Sequence, residues 1–217
     1  MRIPKTFCVT LLNTPGRTNQ CKDYFSGIGL ECEFFYGVDG RQLNLQQLNV
    51  YDKCGWRVRN GVVGTTLSHR LLWITLLTMN YNEILILEDD VLFVPDFKEK
   101  FECYSDELPM EWDMVYLGGG FSPQNSGTKQ VISEHILKYK PTGTYAYMIK
   151  KCILNKCLSY TDNSLIDIDV NMTNGLLNNV NIYAFNPLLA TDRSVNGGEY
   201  IKTGIWKSLT YNWDGIR

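Results

Sequence analysis

Residues Ile84-Leu85-Ile86-Leu87 form an apolar run with no polar face, and three carboxylates, Glu88-Asp89-Asp90, follow it at once. A short run of this kind reads as a buried strand. The rest of the chain supplies its cover. Phe7 to Leu12 is a second apolar run, closed by Asn13-Thr14-Pro15-Gly16. Residues 18–28 suit a helix. Glu33 to Val38 is an aromatic strand stopped by Asp39-Gly40, and residues 41–53 read as helical or irregular. Ser68 to Met79 is apolar on nearly all sides, so a buried helix. Asp96 to Tyr104 predicts a surface helix capped by Asp96. Strands follow at Met114–Leu117, before Gly118-Gly119-Gly120, at Thr144–Ile149 and at Ile182–Phe185, with a polar loop at 121–135 and a helix at Lys150–Ser159. Strands alternating with helices predict an α/β chain: a central twisted sheet, mixed but mostly parallel, flanked by helices. Ligands in such sheets sit beyond the carboxyl ends of strands. Asn13 to Arg17, Asp39, Glu88 to Asp90 and Gly118 to Gly120 fall there.

Composition narrows the function. A length of 217 residues suits one domain, and 44% hydrophobic residues exclude a disordered chain. Lys and Arg number 21 against 23 Asp and Glu, which is no footprint of a nucleic-acid binder. No apolar run reaches the ~18 residues of a membrane span. The run ending at Leu12 is too short for a signal-peptide core, which points to a cytoplasmic protein. The seven cysteines are odd in number, contain no C-x-x-C pair and accompany two histidines, so a zinc site or a disulfide framework is disfavoured.

Clustered carboxylates at a strand end repel one another and are costly when partly buried. A hard divalent cation, Mg²⁺ or Mn²⁺, removes that cost because it prefers oxygen ligands. The bland alternative is a solvated acidic turn. A second signal is Gly61-Val62-Val63-Gly64-Thr65-Thr66-Leu67-Ser68-His69, which reads as a glycine-punctuated loop entering the buried helix. Ser68 would be a cap or first-turn residue where free N–H groups face a phosphate. His69 would be a phosphate donor or general base, or else a packed first-turn histidine.

Together these stretches, with Trp73 between them, resemble glycosyltransferase family 25, which contains lipopolysaccharide and collagen galactosyltransferases. The resemblance continues in Asn13 and Arg17 after the first strand, in Phe34-Phe35-Tyr36-Gly37-Val38-Asp39-Gly40 and in Trp112-Asp113-Met114-Val115-Tyr116-Leu117-Gly118. It extends through Gly143-Thr144-Tyr145-Ala146-Tyr147 to Pro187. Val62 stands where the family usually has a carboxylate or amide, and Thr65 where a cysteine is common.

The resemblance implies one Rossmann-like GT-A domain over 1–217, with a nucleotide-sugar half at about 1–120 and an acceptor half at about 121–217. It implies a metal-dependent hexosyltransferase that takes glucose or galactose from a UDP-sugar, with inversion, to a glycan or protein acceptor, usually with Mn²⁺. A short enzyme of this type, rich in Asn, would suit a large DNA virus that glycosylates its own capsid in the host cytoplasm. In the implied site Asp90 is the main metal ligand, with Glu88. Glu88 or Asp89 reaches the ribose or a metal-bound water. Asn13, Thr14 and Arg17 surround the nucleotide, with Arg17 suited to the phosphates. Asp39 accepts from uracil N3–H or forms an ordinary Asp-Gly turn. The catalytic base is Asp169 first and Asp167 second. Asp192 is a third metal ligand or, preferably, a loop residue. Tyr145, Tyr147, Trp206 and Trp213 are candidates for stacking on sugar rings. Two competing readings are a metal-dependent phosphohydrolase, which lacks its usual Asp at the end of the first strand, and a non-catalytic carbohydrate-binding or assembly protein on the same fold.

Overall fold

The structure is a computed structural model, and it describes residues 1–44, 60–119, 129–161, 168 and 179–192. In chain order its strands are β1 (Lys5–Thr10), β2 (Glu33–Tyr36), β3 (Glu83–Glu88), β4 (Val91–Phe93), β5 (Met114–Tyr116), β6 (Gln130–Val131), β7 (Ile136–Lys138), β8 (Ala146–Lys150), β9 (Ile182–Phe185) and β10 (Ala190–Asp192). The helices are α1 (Pro15–Gly27), α2 (Asn60–Thr78), α3 (Phe97–Ser105) and α4 (Leu154–Thr161). Eight strands form one sheet in the order β2-β1-β3-β8-β5-β9-β7-β6, and β10 pairs with β4 separately.

The expected α/β architecture with a mixed sheet is present. Its balance is less parallel than expected: among the described residues three pairings are parallel (β1–β2, β1–β3, β5–β9) and four antiparallel. The cause is β8. It enters the sheet between β3 and β5 from the end where those strands leave, pairing Ala146 with Leu87 and Tyr147 with Tyr116. That reversal delivers Thr144 and Tyr145 to the carboxyl ends of the parallel strands.

Side-chain alternation in β3 explains the apolar run. Leu85 and Leu87 pack with Phe25, Phe97 and Phe101 on the face covered by α1 and α3. Ile84 and Ile86 pack with Leu72, Trp73 and Leu76 of α2 and Leu154 of α4 on the other. Both faces are dry, so neither tolerates a polar residue.

Two helix ends depart from expectation. Asp96 precedes α3 at φ 58°, but its side chain makes no capping bond. Helix α2 begins by Asn60, not Ser68, and takes in the whole glycine-punctuated stretch. Gly64 is there for contact: a Cβ would stand 2.7 Å from the backbone nitrogen of Gly40 and 2.9 Å from the carbonyl of Val38. The missing side chain lets α2 lie directly on the turn that follows β2. By contrast, α1 ends where propensity predicts. Gly29, at φ 63°, donates to Ser26 O at 2.9 Å, and Leu30 donates to Phe25 O at 2.8 Å. Those bonds occupy carbonyls that the helix end leaves open.

Candidate active site

A cleft of about 340 Å³ opens beyond the carboxyl ends of β1, β2 and β3. It is lined by Thr10, Thr14, Arg17, Asp39, Arg41, Ser68, His69 and Glu88 to Asp90, among others. Three strand ends therefore bring together most of the predicted residues.

The three carboxylates differ sharply in their surroundings. Asp89 is built into the fold. Its Oδ2 accepts from Thr10 Oγ1 at 2.7 Å, and Thr10 Oγ1 lies 2.9 Å from Thr18 Oγ1 of α1. Its Oδ1 lies 2.6 Å from the Arg17 guanidinium. Burial nevertheless raises its pKa, with Arg17 opposing.

Glu88 is anchored through one oxygen. Oε1 accepts from Thr144 Oγ1 at 2.7 Å and pairs with His69 Nε2 at 3.3 Å. Burial pushes its pKa up, but the bonds from His69 and Thr144 outweigh this and hold it below the usual value. Oε2 has no hydrogen-bond partner among the described residues.

Behind Glu88 runs a buried chain. Trp73 Nε1 donates to Tyr147 Oη at 3.0 Å, and Tyr147 Oη lies 2.9 Å from His69 Nδ1. Indole nitrogen only donates, so Tyr147 accepts from Trp73. Glu88, held below its usual value, only accepts, so His69 carries a proton on Nε2 and donates to it.

Asp90 is the exception. Its Oδ2 is 3.1 Å from Arg17, while its Oδ1 is buried with no partner. Burial raises its pKa to about 7, Glu88 adds to the rise, Arg17 opposes it, and Asp89 and Asp192 add further. Asp192 lies across the β4–β10 ladder, opposite Val91. It is thus a buried strand residue beside the site, and the preferred loop reading is corrected.

Arg17 bridges Asp89 and Asp90 from α1 with its side chain partly exposed. Burial works against its charge, and the two aspartates more than offset that. A second cluster occupies the opposite wall. Asp39 accepts from the Arg41 backbone N–H at 3.0 Å, from Arg41 Nε at 2.8 Å and from an Arg41 terminal nitrogen at 3.0 Å. Asn13 donates to it as well. Arg41 in turn donates to Asn13 Oδ1 at 3.2 Å. The guanidinium of Arg41, first among these donors, and Asn13 hold the Asp39 carboxyl down to about 2. These bonds engage all four acceptor positions of the carboxylate.

Several expectations change. Ser68 lies mid-helix, donating to Gly64 O at 2.6 Å and accepting from Val38 N at 2.8 Å. It locks the exit of β2 onto α2 and is no cap. His69 is fully buried with both ring nitrogens engaged, so it faces the fold, not a phosphate. Tyr147 is core, while Tyr145 is half-buried against the α1–α3 face. Thr14 precedes α1, and its hydroxyl donates to Leu11 O at 3.0 Å. Asp167, Asp169, Trp206 and Trp213 lie outside the described residues. Thr10, Thr144 and Arg41 were not among the sequence candidates for the site, although Thr144 lies in a stretch that carries the family resemblance. Only Arg41 carries a local signal, its two-residue spacing from Asp39.

The family model "Glycosyltransferase family 25 (LPS biosynthesis protein)" matches residues 3–172. A "Glycosyltransferase 25 family member" of Aedes aegypti is 33% identical over 130 residues, 54% of this chain and 21% of its own length. A "Procollagen lysyl hydroxylase and glycosyltransferase" of Acanthamoeba polyphaga mimivirus is 29% identical over 218 residues, 89% of this chain and 24% of its own. The chain thus spans about a fifth to a quarter of these relatives. Among solved structures, a glycosyltransferase involved in glycosylation of the major capsid of PBCV-1 aligns at TM-score 0.41 and 11% identity, covering 78% of this chain and 75% of that one.

Proposed function

The chain belongs to glycosyltransferase family 25, and on that premise we propose that it transfers a hexose, glucose or galactose first, from a UDP-sugar to a hydroxyl of a glycan or protein acceptor. We read residues 1–217 as one catalytic domain, with the nucleotide held by the half before about residue 120. The observation that carries the reading is the buried, partnerless Oδ1 of Asp90, flanked by Glu88 and Asp192, at the mouth of a cleft. A buried carboxylate oxygen without a donor is costly unless a cation meets it.

The donor set is all oxygen, which suits Mn²⁺ or Mg²⁺. Asp90 would hold the ion, with Asp192 or the free Oε2 of Glu88 beside it. Such an ion, when bound, supplies Lewis-acid stabilisation of the departing diphosphate, worth several kcal/mol. Thr10 and Arg17 fix Asp89, so Asp89 serves as the frame of the site. Thr144 and His69 aim Glu88 through Oε1, leaving Oε2 for a ribose hydroxyl or a bound water. Arg17 balances the aspartates in the free protein, and its partly exposed guanidinium is placed to turn to the diphosphate. Asp39 reaches uracil N3–H only by giving up one of its four bonds. We therefore place Arg41 and Asn13 at the nucleoside, oriented by Asp39, with Thr14 alongside.

Inversion requires a base opposite the leaving group, and Asp169, then Asp167, remain the assignment. Asp169→Asn should keep UDP and Mn²⁺ affinity and lower turnover by about 10²–10⁴-fold. Near-normal transfer by both Asp169→Asn and Asp167→Asn would remove the assignment. The mimivirus relative supports the expected large-virus source and, with it, a host-cytoplasmic setting. Among the described residues no helix is long and apolar enough to cross a membrane.

The reading as a whole is tested by UDP release from a panel of nucleotide sugars, with and without Mn²⁺. Release from one or two UDP-hexoses, only with the ion, is expected. No release from any sugar nucleotide, with or without candidate acceptors, would overturn it.

A further inference from the structure

A second group of metal-ligating side chains lies elsewhere. Cys103 is on the last turn of α3, Glu107 follows that helix, and His135 directly precedes β7. One ligand atom from each falls within 4.8 Å of the other two. β7 lies four strands from β3 in the sheet, roughly 19 Å at the usual strand spacing. The group is therefore separate from the carboxylates of the cleft.

We propose that Cys103, Glu107 and His135 form a binding site for a borderline-soft divalent cation of the zinc type, clipping the end of α3 to the β6–β7 hairpin. The proposal does not depend on glycosyl transfer. Its ligands are thiolate, imidazole and carboxylate, the set that Zn²⁺ takes with a fourth position left to water. The all-oxygen cleft prefers a harder ion, so the two sites sort cations by chemistry.

The site is preorganised. The His135 ring stacks on Tyr104 with centroids 3.9 Å apart and planes 14° apart. The His135 backbone N–H donates to Glu107 Oε2 at 3.0 Å, which leaves Oε1 aimed at His135 Nδ1, 2.5 Å away. The neighbouring Ser133 hydroxyl and then His135 hold the Glu107 carboxyl down to about 2. Cys103 is exposed at the open side. In a tetrahedral zinc site, ligand atoms stand roughly 3.3–3.6 Å apart. The Nδ1–Oε1 pair must spread by about 1 Å, and the sulfur, within 4.8 Å of both, need close by no more than about that amount. On binding, Cys103 loses its thiol proton to solvent. His135, whose Nδ1 donates to Glu107 in the free protein, moves that proton through solvent to Nε2, or loses it to solvent where Nε2 is already protonated, and so offers Nδ1. One thiolate and one carboxylate then neutralise the dication. Local spacing hid the site, because 32 residues separate Cys103 from His135.

The test is titration of the chelator-stripped full chain with Co²⁺, followed by Zn²⁺ competition. A thiolate-to-cobalt charge-transfer band should saturate at about one equivalent and be bleached by Zn²⁺. Cys103→Ser should abolish it. His135→Ala should weaken Zn²⁺ binding by at least the roughly 10–100-fold that loss of even an outer-shell partner costs. Cys152→Ser, which removes another exposed thiol, and Asp90→Asn should leave the band unchanged. No band, a band that survives Cys103→Ser, or undiminished Zn²⁺ affinity in His135→Ala would overturn the proposal and leave a plain His–Glu pair beside a surface thiol. Alkylation of the unmutated protein needs no variant to fold. Zn²⁺ should slow modification of Cys103 at least about tenfold while sparing Cys152, and equal rates at Cys103 with and without Zn²⁺ contradict the site.

Discussion

Asp39 and Asp90 follow the two strands that flank β1, yet they are opposites. Asp39 is satisfied from every side by Arg41 and Asn13, and its carboxyl is held down to about 2. Asp90 has one oxygen facing Arg17 and another facing nothing, and burial beside Glu88 lifts it to about 7. The same side chain is thus a finished structural element on one wall of the cleft and an incomplete one on the other. Incompleteness is what a cation site requires before its cation arrives, and the mutational consequences of the two residues should differ accordingly.

The largest effect is expected at Asp90. Asp90→Asn should lower transfer by about 10³-fold, the scale of several kcal/mol of Lewis-acid stabilisation. The metal-free protein should respond in the other direction. A carboxyl raised from 3.8 to about 7 binds more protons folded than unfolded. Its stabilising protonation is complete below the unfolded value and is lost as pH rises through 4 to 7. Thermal denaturation in chelator should therefore show a melting temperature falling across that window. Asp90→Asn should flatten the fall and melt higher at pH 8. A steeper fall in the variant would contradict the incomplete-carboxylate account.

Arg17→Ala sharpens the comparison because two affinities should move apart. Loss of the competing cation should tighten Mn²⁺ binding several-fold. UDP binding should weaken by about 10–100-fold, as expected for hydrogen bonds to charged groups, while uridine is little affected. Parallel weakening of UDP and uridine would remove Arg17 from the diphosphate.

Tyr147→Phe probes the support behind Glu88. It strands Trp73 Nε1 and His69 Nδ1, so stability should fall by about 1–3 kcal/mol. If the chain of bonds aims Glu88, kcat should also drop roughly tenfold with KM nearly constant. A stability loss with unchanged kcat at a temperature where the variant is folded would make the chain purely structural.

Asp39→Asn should have the smallest effect. Its carboxylate touches Arg41 and Asn13, and in the proposed placement it reaches the nucleoside only through them, so UDP and uridine should weaken together by only about threefold to tenfold. Its depressed pKa places its pH sensitivity below about 4. Wild-type nucleoside binding should be flat from pH 5 to 8. A tenfold change within that range would mean that Asp39 titrates in contact with the base.

The sheet was legible because its strands alternate onto two dry faces, as Ile84 and Leu85 do. The strands β4, β6, β7 and β10 were missed because two or three residues carry no readable period, and β5, equally short, was legible only because Gly118-Gly119-Gly120 closes it. The start of α2 was misread for a different reason. Gly61 and Gly64 look like helix breakers, but the close approach of Gly64 to Gly40 and Val38 overrides the local cost. Ser68 and His69 moved from a phosphate-binding turn to the helix interior with that boundary. Within the site, Glu88 to Asp90 announced themselves by local charge density. Thr10 and Thr144 did not, because each reaches the cluster from a distant strand or loop; Asp192 was named as a possible third ligand, but its place in β10 was not read.

Under the proposed function, Asp90 awaits a divalent ion whose arrival recruits the nucleotide. Calorimetric titration of UDP into the protein, with Mn²⁺ and with chelator, tests it most directly. UDP should bind wild type strongly only with Mn²⁺, and Asp90→Asn should lose most of that Mn²⁺-dependent gain while its circular dichroism stays native. Equal UDP affinity in Mn²⁺ and in chelator, or a full Mn²⁺ effect in Asp90→Asn, would contradict the account.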